Sequence, residues 1–476
     1  MAARKARRTR REIVLIKKCS SWQISGVVSI LLLATIQPLT AQTASDSERL
    51  EKLERAVEQL QKRNAELEAE VSSLKKQTAA VPEGKMKTKV TYDGKTYTEK
   101  AVVEEKAPVY AQQRGSELKL VLGGFIQVNF EDGDVSAFEG RFGESALKDR
   151  FRIRRARINL TGDFAEQFDF KIEGDFGQSD GLNSNRTAFS ATDIFVNWHQ
   201  YPEAQIKIGQ WKAPFGLEQI TSDPTLYMIE RSLPTGAITP DRQIGIQLWG
   251  KPFTHVWPEQ KDLLTYYAGI FNGNGRNITN NDNNEFMYVG RLELMPFKGK
   301  ILGQESFLKL GGNVFTSRDA AGTTISSTAN LLVNDDGSLS PFSLPGPDER
   351  TAWGADAWLK LGPFDLIGEF LQERVRPRGA EPAFSKFTTD GYYITGGYFL
   401  IPKKLQMVAR WEHLNPGQKG DDGIQSITGG LNYYIHGDDL KLMLNYIHTW
   451  SDFREANPEF GQDQFDEIIG RMQLMF

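Results

Sequence analysis

From about residue 117 to the end of the chain, apolar residues alternate with polar or small ones. The segments run to roughly 8–11 residues and are broken by Gly, Asn, Asp and Pro. About 16 of them can be counted, from "LKLVLGGFIQVNF" through "FDFKIEGDF", "AQIKIGQW" and "IQSITGGLNYYI" to "FDEIIGRMQLMF". A period of two is that of a strand with unlike faces, and no long helical period survives here. The connections alternate in length. "GDFAEQ", "QYPEA", "LGPF", "IPKKL" and "HGDD" are tight, whereas 131–149, 177–190, 212–242, 317–350 and 451–464 are long. An even strand count, short turns at one end and long loops at the other predict an all-β fold, a 16-stranded antiparallel transmembrane β-barrel. A soluble sandwich shares the alternation, but a single run of strands without a sequence repeat favours the barrel. Trp198, Tyr201, Trp211, Trp249, Phe364, Tyr434 and Trp450 lie near strand ends and are expected in interfacial girdles. The last strand is closed by Phe476.

The period changes upstream. In residues 46–77, Leu50, Leu53, Val57, Leu60, Asn64, Leu67, Val71 and Leu74 are spaced alternately three and four apart. That is a heptad repeat, and it predicts an α-helical coiled-coil segment before the barrel. The polar Asn64 at an a position fixes register and parallel orientation at a cost in stability. Arg49 with Glu54, Arg63 with Glu68, and Glu70 with Lys75 would meet as opposite charges in a parallel oligomer. These rules alone do not decide dimer or trimer. Residues 78–116 are polar and form a linker, in which "TKVTYDGKTYTEK" reads as a small hairpin with Asp93-Gly94 as a type I′ turn.

Residues 1–23 hold eight Lys/Arg against one acid, Glu12, and precede the apolar run "ISGVVSILLLATI" and then "PLTAQT". This is the pattern of a secretory signal over residues 1–41, cut after Ala41. The run is shorter than the ~20 residues a spanning helix needs. Without it the chain carries 49 basic and 60 acidic residues, net −11, and residues 117–476 alone carry 35 and 47, net −12. That balance argues against a nucleic-acid partner. The single cysteine, Cys19, leaves with the signal, so neither disulfides nor thiolate metal sites are expected.

Enzyme chemistry finds little support. His199, His255, His413, His436 and His448 are scattered, and no HExxH, GxSxG or GxxxxGK[ST] occurs. "HTWS" at 448–451 is too common to indicate a hydrolase, and "EDGD" at 131–134 reads as a polar loop before a cation site. No catalytic residue, metal or cofactor is expected.

The segments "FRIRRARINLTGDF", "FKIEGDF", "IKIGQWKAPFGLE", "DRQIGIQLWG", "YYAGIFNGNG", "RWEHL" and the terminal "RMQLMF" resemble the phosphate-selective porins O and P. The resemblance spans residues 117–476. It implies a trimeric outer-membrane barrel of a Gram-negative-type bacterium. Anions would pass lumenal Arg and Lys, and a third loop would fold inward. The outer membrane would supply lipid and lipopolysaccharide contacts, and the stalk would lie in the periplasm, where it could reach the cell wall. Counting strands puts the third long loop at 212–242, with Lys212, Arg231 and Arg242 against Glu218, Asp223, Glu230 and Asp241. Its net charge is −1, whereas tight phosphate binders of the family have a more basic constriction.

Parity assigns the remaining charges. In strand two, Ala156, Ile158 and Leu160 share the lipid face, so Arg155, Arg157 and Asn159 face the lumen. Arg152 and Arg154 then fall on the lipid side, at a rim. Lys207, Arg291 and Arg410 also point inward. So do Lys171, Lys441 and Arg471, with Asp169, Glu173, Asp175, Asp193, Glu293, Glu412 and Glu467. The residues expected to meet a passing anion are therefore Arg155, Arg157, Lys207, Lys212, Arg231, Arg242, Arg291 and Arg410. Three functions remain open: passive passage of small anions such as phosphate or polyphosphate, general diffusion with little selectivity, and a structural tie between outer membrane and cell wall.

Overall fold

The computed structural model describes residues 86–92, 97–103, 118–136, 141–142, 149–179, 187–301, 303–323 and 330–476. The signal, residues 1–41, and the heptad segment, 46–77, lie outside the described residues. The chain divides into two units, 1–106 and 107–476. In the first, Met86–Tyr92 pairs antiparallel with Tyr97–Val103. The register joins Tyr92 to Tyr97, whereas a two-residue Asp93-Gly94 turn would pair Tyr92 with Lys95.

The second unit holds sixteen antiparallel strands closed into a barrel. They are β1 Leu118–Gly133, β2 Arg150–Phe164, β3 Phe168–Ser179, β4 Thr187–Trp198, β5 Gln205–Lys212 and β6 Arg242–Gly250. Then follow β7 Leu264–Phe271, β8 Met287–Ile301, β9 Gln304–Asp319, β10 Asp348–Leu361 and β11 Phe364–Pro377. The last five are β12 Phe387–Ile401, β13 Leu405–Asn415, β14 Ile424–His436, β15 Leu440–Ser451 and β16 Gln464–Met475. Each alternating segment of the sequence lies within one of these strands, to within a residue or two at its ends. Every strand pairs with its chain neighbours, and β16 closes on β1, with Met475 opposite Phe125. The terminal Phe476 completes the seam through backbone bonds to Gly124 in both directions, at 2.9 and 3.0 Å. Gly124 must be a glycine there: a Cβ would lie 2.3 Å from the Arg157 carbonyl oxygen and 2.9 Å from the Phe476 ring.

Burial is inside-out relative to a water-soluble protein. On β15, Lys441, Asn445 and Thr449 are buried, whereas Leu442, Leu444 and Tyr446 are exposed. Polar side chains turn to the lumen and apolar ones to hydrocarbon, which closure permits because no strand edge is left unpaired. No helix among the described residues is long and apolar enough to cross a membrane; the strands do so.

Two expectations from the sequence fail, one from parity and one from nearness to strand ends. Opposite Gln127 and Val128 the β2 register skips Arg154, so Gln127 pairs with Arg155 and Val128 with Ile153. This bulge lets Arg154 and Arg155 both point inward. N-terminal to it, Phe151 and Ile153 are the lipid-facing residues, exposed by 81 and 50 %. Arg150 and Arg152 therefore also face inward, both reaching Glu131. All five arginines of strand two serve the lumen, and none forms a rim. Secondly, Trp211 and Tyr434 are buried inside, and Trp249 reaches Asn197 and Lys207 inside. Those three do not belong to an outer girdle. Trp198 and Tyr201 pack edge to face, with ring centroids 5.6 Å apart, as a girdle pair would.

Candidate functional site

The loop between β5 and β6, residues 213–241, folds into the lumen. It holds two short helices, α1 Leu217–Ile220 and α2 Leu233–Ile238. Pro234 sits in the first turn of α2, and Ser232 caps it by accepting from Thr235 N. Phe215, Leu233 and Ile238 join Trp211, Phe271, Phe315, Leu371, Leu414 and Phe465 in one apolar cluster. That cluster holds the loop against the wall without specifying its direction.

Direction comes from polar anchors on strands far from β5 in the chain. Glu369 accepts from Leu217 N at 2.6 Å and Glu218 N at 3.3 Å, and Glu412 accepts from Leu233 N at 2.9 Å. Each carboxylate therefore meets the unpaired amides at the start of a helix. Asn445 accepts from Ile229 N, Asn432 donates to the Tyr227 carbonyl, and Lys441 donates to the Pro224 carbonyl at 2.5 Å. Arg410 binds Glu218 at 3.2 Å and Glu412 at 3.4 Å. Arg154 grips Glu230 with Nε and Nη2 at 2.8 and 3.0 Å, and Arg471 reaches the same carboxylate at 2.7 Å.

At the centre lies Asp223. Arg157 and Arg231 reach it at 2.6 and 2.5 Å, Arg155 at 3.3 Å and Lys212 at 3.9 Å. Burial alone would raise its carboxyl, but Arg155, Arg231, Lys212 and Arg157 override that and hold it well below the usual range. Glu230 is likewise held low: burial opposes ionisation, and Arg154, Arg471 and Arg155 outweigh it.

The network continues along the wall. Arg157 also binds Asp175 at 2.8 Å and Glu173 at 3.7 Å. Lys171 bridges Glu173 and Asp193 at 2.8 and 3.0 Å, and Arg242 reaches Asp193 at 2.6 Å and Asp241 at 3.5 Å. Arg276 closes on Asp241 at 3.6 Å. Seven cations (Arg155, Arg157, Lys171, Lys212, Arg231, Arg242, Arg276) thus share five carboxylates (Glu173, Asp175, Asp193, Asp223, Asp241). Beside them Lys207 lies over the Phe195, Trp211 and Trp249 rings at 4.4, 5.7 and 5.6 Å, with no ion pair among the described residues.

The far wall has the opposite balance. Arg291, Lys309, Arg350, Lys360 and Arg410 stand against Glu293, Asp319, Asp348, Asp356, Asp365, Glu369, Glu373 and Glu412. The lumen is thus basic along β2–β6 and acidic along β8–β13.

Of the eight residues expected from the sequence, the structure gathers Arg155, Arg157, Lys212, Arg231 and Arg242 into one network and sets Lys207 beside it. Arg410 is an anchor of the loop. Arg291 stands apart, bound to both oxygens of Asp356 at 2.7 and 3.0 Å and to Glu293 at 2.9 Å. Sequence reasoning missed Arg154, hidden by the bulge. It also missed that the acids of the third loop are the groups the wall cations hold. Among the described residues, no group of His, Cys, Asp and Glu could hold a metal ion.

A family model described as phosphate-selective porin O and P matches residues 126–476. No curated protein matches the chain. Among solved structures, a loop L8 deletion mutant of OmpT, an outer membrane protein of Vibrio cholerae, is 9 % identical, covering 75 % of this chain and 99 % of its own, with a TM-score of 0.49. The anion-selective porin from Comamonas acidovorans is 14 % identical over 76 % of this chain and 100 % of its own, TM-score 0.48. The outer membrane channel DcaP of Acinetobacter baumannii is 14 % identical over 75 % of this chain and 97 % of its own, TM-score 0.46.

Proposed function

We propose that this chain, which belongs to the phosphate-selective porin O and P family, passes small phosphate-like anions passively along the basic side of its lumen. That it is a non-enzymatic outer-membrane porin follows from the family; the anion preference is our reading. One observation carries it: the excess of cations over carboxylates around Asp223, on the wall where the third loop narrows the channel. In a narrow, low-dielectric passage fixed cations offset an anion's lost hydration. The whole barrel is net −12 over residues 117–476, so the preference must be local. The loop's own charge of −1 is a poor guide, because its acids are already bound by wall cations. The acidic far wall favours a second reading, a weakly selective porin with a field across its lumen. We further propose a homotrimer whose heptad stalk lies in the periplasm.

Phosphate separates the readings. In a planar bilayer, millimolar orthophosphate should reduce the chloride current of the reconstituted channel in a saturable way, because the doubly charged ion dwells longer at the cation cluster. A chloride current indifferent to phosphate would favour general diffusion.

A further inference from the structure

We infer that the outward face of β9–β11, at the long-loop end, is a binding site for the phosphorylated headgroup of an outer-leaflet lipid of the lipopolysaccharide class. The pairing register places Arg318, Glu349 and Arg376 in one row across β9, β10 and β11, with Thr316, Thr351 and Arg374 in the row beneath. Arg318, Arg374 and Arg376 are exposed on the lipid side, whereas their chain neighbours Asp319, Glu373 and Val375 are buried on the lumenal side. Arg378 follows β11 directly, and the exposed Lys386 directly precedes β12. Five cations thus share a stretch of rim with Glu349 and with Glu285, which Arg318 and Arg378 approach at 3.8 and 3.7 Å.

Three features point to a lipid phosphate. The first is depth. Trp353, 47 % exposed and opposite Gln372, packs on Phe370 at 5.1 Å in the manner of an interfacial aromatic. Arg374 lies two residues further along β11, roughly 7 Å nearer the loops, which is headgroup level. An arginine there costs little, about 0–1 kcal/mol, unlike one at mid-bilayer. The second is vacancy. Arg374, Arg376 and Lys386 have no ion pair among the described residues, whereas nearly every lumenal cation is paired. The third is contrast around the rim. On five other strands the outward positions towards the loop ends are Asp132 on β1, Asp390 on β12, Asn415 on β13, Gln425 on β14 and Asp466 on β16, none of them a lysine or arginine. A planar guanidinium binds phosphate oxygens in a two-point fork, and two arginines on adjacent outward positions of one strand suit a headgroup with more than one phosphate.

The test uses the full chain extracted in mild detergent, with native mass spectrometry reading bound lipid. The probes are bis-phosphorylated lipid A, the same glycolipid without phosphates, and inorganic phosphate. Lipid A should bind, the dephosphorylated lipid should not, and millimolar inorganic phosphate should not displace it. Arg374→Ala with Arg376→Ala should weaken binding by about tenfold or more, the scale of losing charge-assisted hydrogen bonds, with conductance unchanged. Thr351→Glu, which sets an acid beside Arg374 without removing either arginine, should have the same effect. Equal binding of the dephosphorylated lipid, or undiminished binding by both variants, would overturn the proposal. Displacement by inorganic phosphate would also overturn it, by reassigning the site to a soluble anion.

Discussion

Replacing Glu230 by alanine should enlarge the single-channel conductance and make the current noisy. Glu230 is the meeting point of Arg154 and Arg471, and all three are almost fully buried. Its removal leaves two buried guanidinium groups without their shared carboxylate. Breaking a buried ion pair in this way costs about 3–5 kcal/mol, and here the cost falls on the hold of the third loop more than on the barrel ladder. Anchors such as Glu412 to Leu233 N, and Asn445 to Ile229 N, remain, so the loop should fluctuate without leaving the lumen. Glu230→Gln, which keeps acceptor and shape, should show a smaller change. Channel recordings and heat-modified gel migration check both sides: conductance should rise while the barrel stays folded. An unchanged conductance in Glu230→Ala would mean that this anchor does not set the constriction.

Changing Arg155 and Arg157 together to glutamate should turn the channel from anion towards cation preference. Two reversals alter the lumen by four charge units, next to Asp223, Glu173 and Asp175, at a place with low-dielectric walls. The effect should shrink with salt, since the Debye length falls from about 10 Å at 0.1 M to about 3 Å at 1 M. Reversing Arg374 and Arg376, which lie outside the barrel, should leave the permeability ratio nearly unchanged. Permeability ratios from bilayers at both salt concentrations provide the check. Equal effects from the inner and outer pairs would sink the assignment of faces.

The contrast between those pairs shows where the sequence was legible. Alternation exposed all sixteen strands because one face of each meets hydrocarbon and the other water, and chain order alone then fixed the neighbours. The slip in strand two was also written there. Phe151 and Ile153 share one parity and Ala156, Ile158 and Leu160 the other, so the apolar face changes register between 153 and 156. A bulge is the simplest cause, and only a strictly alternating reading put Arg152 and Arg154 outside. Trp211, Trp249 and Tyr434 misled for a related reason: nearness to a strand end does not say which face an aromatic occupies. The loop anchors were not legible. Glu230 and Arg471 are 241 residues apart and Leu217 and Glu369 are 152 apart, and no local pattern encodes such pairings. Counting loop charges therefore gave −1 for a place where the surrounding wall supplies the excess of cations.

The most direct test of the central claim is the zero-current potential of the reconstituted channel across a potassium chloride gradient. If the cation cluster around Asp223 governs passage, the potential lies on the chloride side and moves towards zero as total salt rises. A potential on the potassium side at low salt would contradict the account, because the acidic far wall would then control what enters the pore.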